Sequence, residues 1–183
     1  MPQWPLIKPR FKRIARFAPF IGVLIGFLQS FIWILLIHFD WPNTSVVLIS
    51  IGISILITGG LHLDGLMDTA DGIGAGASKR LQAMKDSRIG AIGVQSLAII
   101  LILQIAAILK LDSFAPFAFP LAGFWGRVSQ IFAIGNYEYL FKKESLSIHK
   151  KYWKGISTEL KPSLILISLG IIFFIFSTNM NIY

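Results

Sequence analysis

A chain of 183 residues has the length of one domain, and with no cysteine it excludes disulfides, thiolate metal sites and cysteine nucleophiles together. Hydrophobic residues make up 55% and charged residues 14%, with a mean hydropathy of +0.70. A water-soluble domain carries about 25% charged residues, so an ordinary soluble fold is excluded and the lipid bilayer is the expected partner. The net charge of +8 suits anionic headgroups or anionic substrates, and no nucleic-acid partner is expected, because the basic residues fall in short clusters between apolar runs.

A spanning helix needs about twenty mostly apolar residues. The basic first sixteen residues lead into an uncharged run, 17–37, that is long enough to span and lacks a small-residue cleavage pattern, so no cleaved signal peptide is expected. Further uncharged runs follow at 41–61, 89–109 and 162–182, and 113–135 qualifies apart from Arg127. The expected fold class is therefore all-α, a polytopic membrane helix bundle with about five crossings. Lys8, Arg10, Lys12, Arg13 and Arg16 precede the first run, and Lys79, Arg80, Lys85 and Arg88 lie between the second and third. Lys142, Lys143, Lys150, Lys151, Lys154 and Lys161 lie between the fourth and fifth, whereas the opposite side receives only Lys110. By the positive-inside rule the basic side is cytoplasmic. Gln29, Gln95, Gln104 and Gln130 are expected to glue helices together. Such polar faces can pair within the chain or between chains, so a homo-oligomer is left open.

The cytoplasmic loop after the second run opens with "GGLHLDGLMDTADGIGAG", residues 59–76. Asp64, Asp68 and Asp71 follow an i, i+4, i+7 spacing, which on a helix of about 100° per residue places them within a face about 60° wide. Three carboxylates on one face repel one another unless a cation neutralises them. All-oxygen ligands favour Mg²⁺ (or Mn²⁺), which is commonly shared with substrate phosphates; the plainer alternative is a solvated acidic face. His62 would lie about 200° from Asp64 on a continuous helix. It is a candidate base or substrate contact if the backbone breaks at Gly59 and Gly60, and otherwise an anchor at headgroup level. Gly72, Gly74 and Gly76 are expected to end the helix in a flexible loop whose amides can approach phosphates.

"MKDSRIGAIGV", residues 84–94, opens the third run. Lys85 and Arg88 are candidate phosphate clamps at a helix N-terminus, and Asp86 a candidate fourth carboxylate; basic flanking of a membrane span is the alternative. Arg127 is an intramembrane charge, expected to meet a motif aspartate or a substrate phosphate unless it snorkels to the interface. Together these residues describe a membrane enzyme handling a metal-bound phosphate substrate, with phosphoryl transfer from a diphosphate-linked donor to an alcohol as the natural chemistry.

A CDP-alcohol-type phosphotransferase uses a related acidic helix face, but the arginine and spacing usual there are absent. "GGLHLDGLMDTADG" instead resembles the cobalamin synthase family (adenosylcobinamide-GDP ribazoletransferases), as do "MKDSRIGAIGV", "RFKRIARFAPFIGVLIG" and "FWGRVSQI", over roughly residues 10–150. The resemblance implies transfer of adenosylcobinamide phosphate from adenosylcobinamide-GDP to α-ribazole (or its 5′-phosphate), releasing GMP. It also implies Mg²⁺ and a multi-pass location in the cell (inner) membrane. Residue by residue, it implies Asp64, Asp68 and Asp71 as catalytic metal and diphosphate ligands and His62 as a base or positioning group. Lys85, Asp86 and Arg88 would hold donor phosphates; Arg127 is a candidate substrate contact on its intramembrane position alone. Met67 stands where the family usually has a small residue, and 139–150 lacks the glycines often found there. Family members are usually longer, so a single cobalamin synthase-like domain over 1–183, short at its C-terminal end, is expected. A transporter would place its acids near the bilayer midplane in paired broken helices, and a membrane scaffold would have no need of the acidic face.

Overall fold

A computed structural model describes residues 13–138 and 147–180. Among them every regular element is helical. The helices are α1 (Ala18–His38), α2 (Asn43–Thr58), α3 (Leu61–Gly74), α4 (Arg80–Ala83), α5 (Ala91–Leu111), α6 (Ala115–Asn136), α7 (Ser147–Lys151) and α8 (Ile156–Met180). The basic residues Lys8, Arg10, Lys12, Lys142 and Lys143, and most of 139–150, lie outside the described residues.

Three stretches are long and apolar enough to cross a bilayer: Ile14–His38, Ala91–Asn136 and Ile156–Phe173. The count is four if α2 and α3 form one bent crossing. The 46-residue stretch would run about 70 Å if straight, more than twice a hydrocarbon core of about 30 Å. It is broken at Asp112, whose backbone stands at φ 47°, ψ −121°, leaving α5 and α6 at 21 and 22 residues, each about one bilayer thickness. The expected five crossings require this break to divide two spans. The side chains agree with lipid contact: Phe27, Phe31, Ile102, Phe117 and Phe173 are among many large apolar groups exposed on the helices. The protein is a multi-pass membrane helix bundle.

The second apolar run departs most from a plain span. Its helix, α2, has only 16 residues, about 24 Å. It ends at Gly59 (φ 63°), and Gly60 (φ 68°) starts α3 at 88° to it. Two successive left-handed residues are what glycine permits and other residues resist, so the acidic helix leaves the direction of the apolar one at this point.

The chain divides into two compact units. One holds Phe27–Ala118, the other the residues up to Gly26 and from Phe119 on. In the former, α3 packs chiefly along α5, and Trp33, Val46, Val47, Ile51 and Ala115 are buried. Asn43 donates to Asp112 Oδ1 (3.1 Å), linking the start of α2 to the α5–α6 break. In the latter, α1 and α6 approach backbone to backbone at Gly22 and Gly123, and Phe119 and Ile131 are buried.

Gly59→Ala and Gly60→Ala should each lower the thermal stability of the solubilised protein, by about 1 kcal/mol. Gly52→Ala, in open space on α2, should be neutral or slightly stabilising; thermal unfolding followed by circular dichroism compares the three.

Candidate functional site

The helix α3 carries the acidic motif on one continuous run from Leu61 to Gly74. Asp64 is exposed and Asp68 half-buried. One turn apart, they share a face, and neither has a hydrogen-bond or ion-pair partner among the described residues.

Asp71 is spent differently. Its Oδ2 accepts from the Gly90 amide (2.7 Å) and its Oδ1 from the Gly93 amide (2.8 Å). Gly90 is the N-cap of α5 and has no capping side chain of its own, so Asp71 caps α5 from a neighbouring helix. A Cβ at Gly90 or Gly93 would collide with that carboxylate, which explains glycine at both positions. Among the described residues no three His, Asp or Glu side chains form a group that could hold a metal ion. A shared helical face does not fix what each carboxylate meets: of the three aspartates expected as ligands, Asp71 meets a helix start while Asp64 and Asp68 stay open. Asp64 and Asp68 do fit Mg²⁺, which is often held by one or two carboxylates together with substrate phosphates.

His62 is exposed on the first turn of α3. The backbone break lies ahead of it, at Gly59 and Gly60, and does not swing it onto the acidic face; it stays about 200° from Asp64. The glycines also differ from the expected loop. Gly72 and Gly74 lie within α3, where Cβ atoms would strike Met84 and Ile92. They are close-packing positions. Gly76 alone of the three is left-handed, at φ 77°.

Asp86 and Arg88 form a fork in the turn before α5. Arg88 Nη2 lies 2.7 Å from Asp86 Oδ2, Arg88 Nε 3.0 Å from Oδ1, and the Arg88 amide also donates to Oδ1 at 3.0 Å. The Arg88 side-chain hydrogen bonds, then its amide, hold the Asp86 carboxyl down to about 2, and the same pairing raises the Arg88 guanidinium. Asp86 is thus committed to Arg88 instead of standing as a fourth open carboxylate. The helix dipole expected to draw a phosphate to Lys85 and Arg88 is already answered by Asp71. Lys85 and Arg88 are both exposed. In the other unit, Arg127 is half-buried on α6; its stem lies against Gly22, and its Nη1 donates to Gln130 Oε1 at 3.1 Å.

Sequence reasoning missed a second polar centre. Glu159, 5% exposed in the first turn of α8, pairs with Arg13 through the guanidinium Nη2 and Nε, the latter at 3.0 Å, and accepts from the Lys154 amide at 3.2 Å. Ser163, fully buried, accepts from the Phe20 amide (3.3 Å) and donates to the Arg16 carbonyl (2.6 Å). The one available signal was a lone acid at the head of a membrane helix, among basic residues.

The family model for cobalamin-5-phosphate synthase matches residues 2–182. The chain belongs to this family. A Prochlorococcus marinus protein named adenosylcobinamide-GDP ribazoletransferase is 53% identical over 182 residues, covering 99% of this chain and 70% of the relative. One of the same name from another strain of that species is 51% identical over 169 residues, covering 91% and 65%. A Synechocystis relative, also so named, is 35% identical over 180 residues. The chain spans about two thirds of the length of these relatives. No solved structure matches it.

Two predictions follow from the pairings of Asp71 and Asp86. Asp71→Ala should destabilise the protein by about 2–3 kcal/mol, the scale of losing charge-assisted bonds at a partly buried carboxylate, and should speed amide hydrogen exchange at Gly90 and Gly93. Asp64→Ala should do neither. Asp86, with its depressed pKa, stays ionised and paired at neutral pH and loses Arg88 only as pH falls through about 2. A ¹³C NMR titration of its carboxyl should show that midpoint, and Arg88→Ala should return it towards the ordinary carboxylate range.

Proposed function

We propose that this chain transfers adenosylcobinamide phosphate from adenosylcobinamide-GDP to α-ribazole (or its 5′-phosphate), releasing GMP. Its relatives carry the name of that activity, and the observation that carries the reading is the uncommitted pair Asp64 and Asp68, one turn apart on a helix bent 88° from an apolar one. The acidic helix faces the cytoplasm of the inner membrane in this reading, with the basic clusters on the same side.

The acceptor hydroxyl attacks the phosphorus nearer the cobinamide. The new O–P bond replaces the bridging P–O bond, GMP leaves with the bridging oxygen, and the hydroxyl proton passes to solvent water; His62, on the other face of α3, is proposed only as a separate substrate contact. Asp64 and Asp68 would hold Mg²⁺, which supplies charge neutralisation for the diphosphate when bound. Asp71 holds α3 against the start of α5, fixing where that pair stands. Lys85 and Arg88 lie exposed on the turn before α5, where their charge can draw the donor's phosphates; Arg88 keeps Asp86 ionised while doing so.

Purified protein given adenosylcobinamide-GDP, α-ribazole and Mg²⁺ should release GMP, and Asp68→Asn should reduce the rate about a hundredfold or more, the usual scale for losing electrostatic stabilisation of the transition state. No release by well-folded protein, or release that Asp68→Asn leaves intact, would refute the assignment.

A further inference from the structure

The turn between α3 and α5 carries more charge than the proposed transfer uses. Residues 72–90 hold four cations, Lys79, Arg80, Lys85 and Arg88, against one acid, Asp86, and Arg88 already answers that acid. Lys79 and Arg80 are exposed, and neither has a hydrogen-bond or ion-pair partner among the described residues. Large apolar side chains stand in the open beside them in the sequence: Ile73 is 62% exposed and Leu81 44%. Singly such residues are ordinary on a protein surface. What distinguishes these is the height at which the fold holds them.

That height is set by α5. A Cβ at Gly74 would strike the Ile92 side chain, and Asp71 accepts from the Gly90 and Gly93 amides, so the last turn of α3 stands beside the first turn of α5. The short helix α4 is tied to the same place, because the Arg80 stem and the Met84 side chain lie against Gly72. Arg80 and Met84 are one turn apart and share that face, so Leu81 projects from a different one. α5 is an apolar helix of 21 residues, about one bilayer thickness, and its first turn marks the membrane edge. Ile73, Lys79, Arg80 and Leu81 are therefore held where apolar groups meet acyl chains and cations meet headgroup phosphates.

We infer that this turn is an interaction surface for anionic lipid headgroups, with Lys79 and Arg80 on the phosphates and Ile73 and Leu81 in the acyl edge. A soluble phosphate compound would answer the cations and leave the two apolar side chains in water. A membrane surface answers both at once. None of the four residues takes part in the proposed transfer, so the surface stands whatever substrate the open aspartates serve.

The test exploits a chain without cysteine. Leu81→Cys carries a single nitroxide label in the full chain, reconstituted into vesicles of phosphatidylcholine alone or mixed with phosphatidylglycerol. Electron paramagnetic resonance then compares how readily oxygen, which enters lipid, and a water-soluble nickel chelate reach the label. Phe31→Cys, exposed near the middle of α1, gives the lipid limit in both kinds of vesicle. With phosphatidylglycerol present the label at 81 should favour oxygen. Lys79→Gln combined with Arg80→Gln should shift the balance between lipid-held and water-exposed label about thirtyfold towards water, the ratio for two cations at an anionic surface. Phosphatidylcholine alone should produce the same shift. If the label at 81 disturbs the helical circular dichroism, Ile73→Cys carries the comparison. A label that behaves alike in both kinds of vesicle overturns the inference, and so does one shielded from both quenchers, as beneath a protein partner or a second copy of the chain.

Discussion

A helix that starts at or inside a bilayer edge presents amides that no earlier turn satisfies and that water reaches poorly. In this chain α2, α3 and α5 carry no capping side chain of their own. For the helices that matter most the missing cap arrives from elsewhere. Asp71 reaches the first turn of α5 across 19 and 22 residues of sequence, and Ser163 reaches Phe20 in the first turn of α1 across 143. At the opposite polarity, Lys150 donates to the Gly135 and Tyr137 carbonyls at the end of α6 (2.7 and 3.1 Å), where the helix dipole favours a cation.

Much of the local sequence follows from the α5 cap. A carboxylate can reach two amides of one helix start only where no side chains intervene, hence glycine at 90 and 93. The same close approach continues along α3, whose Gly72 and Gly74 make room for Met84 and Ile92. These contacts, with the double-glycine bend at Gly59 and Gly60, place a short polar helix beside a long apolar one. The charge on Asp71 is then solvated by dipoles fixed in place, and Asp64 and Asp68 remain as the α3 carboxylates with unspent lone pairs among the described residues.

The apolar runs were legible because hydropathy needs no tertiary information: 17–37 became α1 (Ala18–His38), 89–109 became α5 (Ala91–Leu111) and 113–135 became α6 (Ala115–Asn136). Where they misled, the cause was a residue that hydropathy does not weigh. The run 41–61 was long enough for a span, but Gly59 and Gly60 turn the backbone within it. The run 162–182 missed the start of α8 at Ile156 because Glu159 and Lys161 look like loop, although Glu159 is buried against Arg13. The acidic face was legible from its spacing, and the family from the resemblance of the stretches at 59–72 and 84–94. The fate of each aspartate was not, because a helical wheel gives the face of a residue and says nothing of the helix that comes to meet it.

The two polar centres show how to separate a structural charge from a chemical one in such a chain. A buried carboxylate is tolerated only when donors replace its lost water. Glu159 meets that condition with three donors, and Asp71 meets it with one amide on each oxygen. A group so committed fixes helices, and a substrate or metal would have to displace its donors to use the same lone pairs. Asp64 and Asp68 are under no such obligation, being solvated while they wait, and a cation brought by a diphosphate can take their oxygens without breaking a protein contact. An acid face at helical spacing is therefore not a unit. Its members divide according to which of them the fold has already consumed, and the pair left over is where the chemistry can be sited.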